Sequence, residues 1–163
     1  MPLKKPLKRR LIIDVGAGSA EFSKALKKRN PGARVIGIDR DPSSKARIKE
    51  SMGGFFRYVL KDPSRVKKVW LNHVGIFSTQ AFAEFKTMVD RLPANTPIML
   101  TMMQENMGLV RNALHSAGLS LRSETKWNPK MLGSPVTKLF YKQATEGMAQ
   151  GKMLIRIVAV KKG

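Results

Sequence analysis

The chain has 163 residues, 42% of them hydrophobic, which fits one folded domain with a substantial core. It carries 31 Lys and Arg against 11 Asp and Glu, a formal net charge of +20. The lack of cysteine excludes disulfides and thiolate–metal sites, and two histidines are too few for a histidine-rich metal centre. No apolar run reaches the roughly 18 residues of a membrane span, and the basic start is not followed by a secretory h-region. We therefore expect a cytoplasmic protein with neither a metal nor a membrane partner.

The excess of positive charge favours a polyanionic partner, because phosphate neutralisation is its commonest use. Solubility, or an acidic protein partner, is the alternative explanation. Apart from the run Lys4–Arg10, the basic residues are scattered along the chain. We interpret residues 1–10 as a basic arm and residues 11–163 as one domain. The charge predicts a class of partner, nucleic acid, and not a reaction.

Short apolar runs alternate with helical patterns over the first 118 residues. Apolar runs predict strands at 11–15, 35–39, 55–60, 66–72 and 98–103. Helical spacing or caps predict helices near 22–29, 43–52, 82–92 and 110–117. After Gly118 come three predicted strands without helices between them, at 119–127, 137–144 and 153–160. The sequence therefore predicts a single-domain α/β fold whose sheet is mostly parallel and ends in an antiparallel C-terminal hairpin.

A glycine-containing turn follows the first predicted strand, in the run DVGAGSAE from Asp14 to Glu21. Gly16 and Gly18 let the backbone turn sharply and let a ligand approach the main chain. Asp39 ends the second predicted strand, and parallel strands present their carboxyl ends at one edge of the sheet. A carboxylate there can accept hydrogen bonds from both hydroxyls of a ribose, each worth on the order of 1.5–3 kcal/mol. The turn and Asp39 together predict a nucleoside site.

The segment from Ile12 to Asp41 resembles motifs one and two of class I S-adenosylmethionine-dependent methyltransferases. The order of predicted elements is similar to that of this Rossmann-like family over essentially the whole chain. The resemblance implies that Asp14, Gly16 and Gly18 line the methionine and ribose side of S-adenosylmethionine and that Asp39 binds the ribose diol. It further implies that Asp62, after the third predicted strand, meets the adenine amino group, and that Asn72, after the fourth, faces the methyl-transfer site.

A dinucleotide cofactor is the competing interpretation of the glycine turn. It calls for G-x-G-x-x-G/A, but the sixth position from Gly16 is Glu21, a poor neighbour for a pyrophosphate. Acidic residues instead suit a cofactor that carries a sulfonium cation and no phosphate. Five of the eleven acids fall in or beside the predicted strand tips: Asp14, Glu21, Asp39, Asp41 and Asp62. This clustering favours S-adenosylmethionine.

The segment after Asn72 bears on the methyl acceptor. It lacks the prolines that amino methyltransferases acting on adenine or cytosine carry there, and without cysteine a cytosine-C5 mechanism is excluded. The layout from Val69 to Ala117 is loosely similar to that of tRNA guanine-N7 methyltransferases. His73 is a candidate general base, with a structural loop histidine as the alternative. Phe77 either stacks on a flipped base or packs beneath the next helix.

Lys126, Lys130 and Lys138 are candidate phosphate contacts, and merely solvated lysines are the alternative. Both tryptophans, Trp70 and Trp127, are expected in the core. We therefore predict an S-adenosylmethionine-dependent methyltransferase acting on tRNA or rRNA. Two alternatives stay open: a non-catalytic nucleic-acid-binding module with this fold, and a methyltransferase for a small molecule or a protein. The oligomeric state is not predicted.

Overall fold

The computed structural model describes residues 9–72, 74–127 and 154–163, and the strands within these ranges form one sheet. In chain order they are β1 (Leu11–Val15), β2 (Arg34–Asp39), β3 (Ile48–Lys49), β4 (Val66–Asn72), β5 (Pro97–Met103), β6 (Leu119–Trp127) and β7 (Leu154–Lys161). Their order across the sheet is β3-β2-β1-β4-β5-β7-β6.

The first five strands are parallel, and β7 runs antiparallel to both of its neighbours, β5 and β6. The central strand is β1, whose Ile13 pairs with Ile36 of β2 on one side and with Val69 of β4 on the other. All five residues of β1 are buried, because helices cover both faces of the sheet there. The predicted fold class is thus confirmed. The strand predicted at 137–144 lies outside the described residues.

Helices cover the two faces of the sheet unequally. Their bounds are α1 (Glu21–Arg29), α2 (Met52–Gly54), α3 (Thr79–Arg91) and α4 (Met107–Ser116). The apolar sides of α3 and α4 join the larger core cluster, while Leu26 of α1 packs with Ile12 and Trp70 on the opposite face. Each helix stripe predicted from the sequence is therefore a core contact, and Trp70 is buried as expected. Within the described ranges no helix is long and apolar enough to cross a membrane.

The helix predicted near residues 43–52 is wrong. Irregular backbone occupies most of this segment, and its regular residues are Met52, which begins α2, and the two residues of β3, which pair with Ile38 and Asp39 of β2. The Asp41 carboxylate accepts hydrogen bonds from both the backbone N–H and the hydroxyl of Ser43, which stabilises a turn in place of a helix. Serine therefore acts here as a turn residue, not as a helix cap.

The strand predicted at residues 55–60 is also wrong. Ser51 caps α2 by accepting from the Gly54 N–H at 3.0 Å, and a π-helical turn, Phe55–Val59, continues from it. Gly53, the residue after the helix predicted near 43–52, lies within α2, where a Cβ would come within 3.3 Å of the Glu84 Cα on α3. Close packing against α3 thus explains the glycine. The carbonyl of Phe56 accepts from Arg91 Nε at 3.1 Å, which satisfies a backbone group at the end of the turn.

The sheet brings the carboxyl ends of β1, β2 and β4 to one edge, because these strands are adjacent and parallel. The loops that leave this edge connect β1 to α1, β2 to β3 and β4 to α3. In open sheets of this kind, ligands bind at the carboxyl edge.

Candidate functional site

A cavity of about 550 Å³ opens at this carboxyl edge. Its wall is formed by the ends of β1 and β2, the segment around α2, the segment after β4 and the first turns of α3. A volume of this size lies within the range of small-molecule and cofactor sites. The lining residues are Val15, Gly16, Ile38, Asp39, Arg40, Glu50, Ser51, Met52, Val74, Gly75, Phe77, Ser78, Gln80, Ala81 and Glu84.

Asp39 links the two loops on the β1 and β2 side of the cavity. Its Oδ2 accepts a hydrogen bond from the Gly18 N–H at 2.9 Å, and its Oδ1 accepts from the Asp41 N–H at 2.9 Å. Each carboxylate oxygen has two lone pairs, so both retain acceptor capacity toward the cavity that the residue lines. Asp39 is therefore a fixed, half-buried acceptor of the kind that suits a vicinal diol.

The glycine turn is held against β2 and open toward the cavity. The Ile38 carbonyl accepts from the N–H groups of Gly16 and Ala17 at 2.9 and 3.1 Å. Gly16 has φ +71°, and a Cβ there would lie 2.9 Å from Val74 Cγ2 on the opposite wall. A side chain at this position would be strained and would narrow the space between the loops. The absence of a side chain at Gly16 thus keeps open a gap that a Cβ would fill.

Asp14 lies behind this wall and does not line the cavity. It is 1% exposed, and its Oδ2 accepts from the Ser23 hydroxyl at 2.5 Å, which ties β1 to α1. Gly37 of β2 leaves room for this contact, since a Cβ there would lie 2.7 Å from Ser23 Oγ. Burial raises the pKa of Asp14 to about 6; the Ser23 hydrogen bond lowers it and the charge of Asp39 raises it further.

The cavity is acidic although the protein is strongly basic. Three carboxylates, Asp39, Glu50 and Glu84, line it, against the single guanidinium of Arg40. The Glu50 side chain also accepts from the Ser51 N–H at 2.9 Å, so the turn before α2 fixes its position. Such a lining favours a cationic ligand. Among the described residues no cluster of three or more His, Asp and Glu could hold a metal ion.

Asp62 is far from where the sequence predicted it. Because Phe55–Val59 is helical, no strand ends at Asp62; it instead precedes a short 3₁₀ turn, Pro63–Arg65, that leads into the amino end of β4. Its carboxylate accepts from the Ser64 hydroxyl, and it does not line the cavity. The expectation that Asp62 ends a strand at the cofactor edge is therefore wrong.

Asn72 lies at the end of β4 as predicted, next to the cavity but not among its lining residues. Its Oδ1 accepts from the Thr101 hydroxyl at 3.3 Å, and Thr101 is fully buried in β5. Its Nδ2 is buried and has no hydrogen-bond partner among the described residues. The Asn72 amide nitrogen is therefore an unpaired donor, among the described residues, near the carboxyl edge. The predicted base His73 lies outside the described residues.

Some of the remaining predicted residues lie within the described ranges and others lie outside them. Lys126 is exposed near the end of β6, at the carboxyl edge, whereas Lys130 and Lys138 lie outside the described residues. Most of the basic arm, residues 1–10, also lies outside the described residues, and only its Arg9 and Arg10 are described. Phe77 is 39% exposed and lines the cavity, so of its two predicted roles the one in which it packs beneath α3 is wrong.

Sequence reasoning missed two of the three cavity carboxylates. Glu50 was hidden because its segment was interpreted as a helix, and Glu84 because it follows a buried stripe on α3 and resembles a surface residue. The sequence offers one indication of these two residues. The chain has only eleven acids among 31 basic residues, so each acid is a candidate for a specific role at a site.

The fold is that of the Rossmann-like methyltransferases. A structure of the 16S rRNA methyltransferase KamB aligns with a TM-score of 0.67 and 11% identity, covering 94% of this chain and 88% of that one. The plantazolicin methyltransferase BamL, solved with SAH, aligns with a TM-score of 0.64 and 13% identity, covering 94% and 77%. A variant of the 16S rRNA (adenine(1408)-N(1))-methyltransferase from Catenulisporales acidiphilia, solved with SAM, gives a TM-score of 0.57 and 11% identity, covering 94% and 86%.

No protein-family model and no curated protein matches the sequence. Identities this low show the fold alone, and none of the three structures is of a tRNA guanine-N7 methyltransferase, so that finer resemblance stays a prediction.

The pKa of Asp14 makes stability depend on pH. A carboxyl whose folded pKa, about 6, exceeds its ordinary 3.8 binds its proton more tightly in the folded state. Its contribution to stability is fully present below pH 4 and is lost as the pH rises through 6, a change on the order of 3 kcal/mol. Denaturant titrations of the wild type and Asp14→Asn should show the wild type losing stability relative to the variant from pH 4 to pH 7. A difference independent of pH would contradict this assignment.

Ala20 adopts a left-handed conformation, φ 62°, immediately before α1, and its side chain makes no capping hydrogen bond. This conformation costs an L-residue about 1–2 kcal/mol, from which glycine is exempt. We expect Ala20→Gly to raise the free energy of unfolding by about 1 kcal/mol, measured by chemical denaturation. The matched control Ala25→Gly, within α1, should lower it by about 1 kcal/mol. Equal losses in both variants would show that Ala20 is unstrained.

Proposed function

We propose that this protein is an S-adenosylmethionine-dependent methyltransferase that acts on RNA. The observation that carries the proposal is the carboxylate of Asp39, fixed by the N–H groups of Gly18 and Asp41 and lining an acidic cavity at the carboxyl edge of the sheet. The similar structures solved with SAM and SAH support the choice of cofactor.

The cavity suits this cofactor in charge and in shape. Asp39 would accept from the ribose hydroxyls, and Gly16 and Val74 leave a gap between the two loops in which a nucleoside can lie against the backbone. Met52 offers an apolar contact for a base, and Glu50 and Glu84 add negative charge around a sulfonium cation. A pyrophosphate in the same cavity would meet three carboxylates, which disfavours a dinucleotide.

When bound, the cofactor would supply a transferable methyl carbon on a sulfonium sulfur, which would leave as a neutral thioether. The chain's contribution is to hold the partners in line and to exclude water. The hydrogen bond from Thr101 fixes the orientation of the Asn72 amide at the end of β4. Its Nδ2 is buried and has no partner among the described residues, so it would donate to an acceptor base only after a local movement that exposes it. Ile76, fully buried after β4, anchors the segment that carries Val74, Gly75 and Phe77.

RNA as the acceptor is supported by the charge of +20 and by its distribution. Lys126 lies at the same edge as Asn72, separated by the three strand spacings from β4 to β6, about 14 Å. A polyanion can therefore contact this exposed lysine while one of its bases reaches the end of β4. The exposed ring of Phe77, at the cavity wall, is available to stack on such a base. Two of the three similar structures described above are of rRNA methyltransferases.

Removal of the Asp39 carboxylate should weaken cofactor binding by about tenfold or more, because at least one charge-assisted hydrogen bond to the ribose is lost. We would measure the affinity for S-adenosylhomocysteine by isothermal titration calorimetry in Asp39→Ala and Asp39→Asn. The control is Asp41→Asn. It removes the same charge from a side chain that lies two residues after Asp39 and does not line the cavity. Circular dichroism checks that each variant is folded. Unchanged affinity in both Asp39 variants would refute the site.

Transfer of a methyl group to RNA is tested separately. With tritiated S-adenosylmethionine, the wild type should label tRNA or rRNA from a methylation-deficient source, and Asn72→Ala should lower kcat more than the cofactor affinity, since Asn72 does not line the cofactor cavity. Cofactor binding without label in RNA, but with label in small-molecule extracts, would move the acceptor to that class. Cofactor binding without any labelled product would favour a non-catalytic RNA-binding module.

A further inference from the structure

A second cavity lies at the opposite edge of the sheet, where β1, β4 and β5 begin. It measures about 740 Å³ and is lined by the three cations Arg10, Arg29 and Lys67, with none of the described acids in its wall. Its other lining residues are Asn30, Gly32, Ala33, Ser64, Val66, Pro93, Ala94, Asn95, Thr96 and Pro97.

Three separate elements bring these cations together. Arg10 precedes β1, Arg29 ends α1, and Lys67 is the second residue of β4. The Arg10 guanidinium donates to the Ser64 carbonyl at 3.3 Å, which holds the guanidinium at the cavity rim. None of the three forms an ion pair with a described residue; the ion pairs found in those ranges are Lys86–Asp90 and Arg111–Glu124.

The positive charge continues from this cavity onto the adjoining sheet face. Lys68 follows Lys67, and its ammonium lies 5.9 Å from the centre of the Trp70 ring; the Arg156 guanidinium lies 5.4 Å from the same ring. Burial, and then the charges of Lys67 and Arg156, lower the pKa of Lys68. Burial, and then the charge of Arg29, lower the pKa of Arg156. The cations of the cavity and of the face are therefore close enough to repel one another.

Mutual repulsion of this kind is relieved when an anion binds among the cations. Asp62 also lies at this edge, but its carboxylate accepts from Ser64 and does not line the cavity. No aromatic side chain lines the cavity, so it offers no surface on which a base could stack. Its chemistry suits phosphates, without a preference for base sequence.

We propose that this amino-edge cavity binds backbone phosphates of the RNA substrate, away from the site where the methyl group is transferred. The inference rests on the proposed function. β4 runs from Val66, which lines the cavity, to Asn72, a distance of about 20 Å. One RNA would therefore contact both edges of the sheet, its phosphates at Arg10, Arg29 and Lys67 and its acceptor base beyond β4. The amino-edge contacts supply affinity, and the carboxyl edge selects the base.

The test compares two triple variants that each remove three positive charges. Arg10→Gln/Arg29→Gln/Lys67→Gln empties the amino-edge cavity of cations, and Arg47→Gln/Arg57→Gln/Arg122→Gln removes three exposed cations that line neither cavity. Binding of a fluorescein-labelled single-stranded RNA of mixed sequence is followed by fluorescence anisotropy between about 50 and 200 mM salt. Thermal unfolding and calorimetry with S-adenosylhomocysteine check folding and the cofactor site.

The cavity variant should lose on the order of 100-fold in RNA affinity near 0.1 M salt, and its slope of log affinity against log salt should fall by about 2. The control variant should change affinity by only about threefold, because exposed charges far from the ligand are screened. KM for the RNA substrate in the methylation assay should rise in the cavity variant, with cofactor affinity unchanged.

Equal losses in the two triple variants would overturn the proposal, since net charge alone would then explain binding. An unchanged slope and KM in the cavity variant, with RNA still methylated, would overturn it while leaving the proposed function intact. A wild type that neither binds nor methylates RNA would remove both the RNA half of the proposed function and this inference.

Discussion

The carboxylate of Asp39 ties together the two loops that form one wall of the carboxyl-edge cavity. By accepting from the Gly18 N–H and the Asp41 N–H, it fixes the turn after β1 relative to the turn after β2. The Ile38 carbonyl adds two hydrogen bonds from Gly16 and Ala17 just beside it. These bonds hold the cavity wall in its open shape, so a ligand would meet acceptors that are already placed and would not have to order them on binding.

Charge is separated along the strand direction. The carboxyl edge of the sheet gathers Asp39, Glu50 and Glu84 around one cavity, and the amino edge gathers Arg10, Arg29 and Lys67 around another. A protein of net charge +20 would repel a cationic cofactor if its charge were spread evenly. Local clustering of the few acids overcomes that repulsion at short range, while the surface as a whole remains attractive to a polyanion. The separation would let one small domain bind two ligands of opposite charge.

The part of the fold that the sequence predicts well is the part in which local and tertiary signals agree. The run Leu11–Val15 is buried on both faces of the sheet, and Phe22 and Leu26 have the spacing of a helix that packs on it, so β1, α1 and β2 follow directly. Gly16 and Asp39 follow too, because adjacent parallel strands must bring their carboxyl ends together.

The segment from 43 to 60 could not be predicted in this way. Phe55 and Phe56 are neighbours and both buried, a pattern that fits a strand buried on both faces as well as a short helical turn wedged beneath α3. Contacts with α3 favour the helical turn: Gly53 packs against Glu84, and Arg91 donates to the Phe56 carbonyl. Both contacts span more than thirty residues of chain. The wrong assignment of this segment predicts Asp62 at the carboxyl edge and gives Glu50 no place in the site. The position of a side chain in an α/β site depends on which strand it follows.

A crystal structure of the protein with S-adenosylhomocysteine tests most directly whether the Asp39 carboxylate binds the ribose of a nucleoside cofactor. We expect both ribose hydroxyls within hydrogen-bonding distance of the Asp39 carboxylate, and the nucleoside between Gly16 and Val74. A cofactor bound elsewhere, or bound here with its ribose turned away from Asp39, would contradict this expectation.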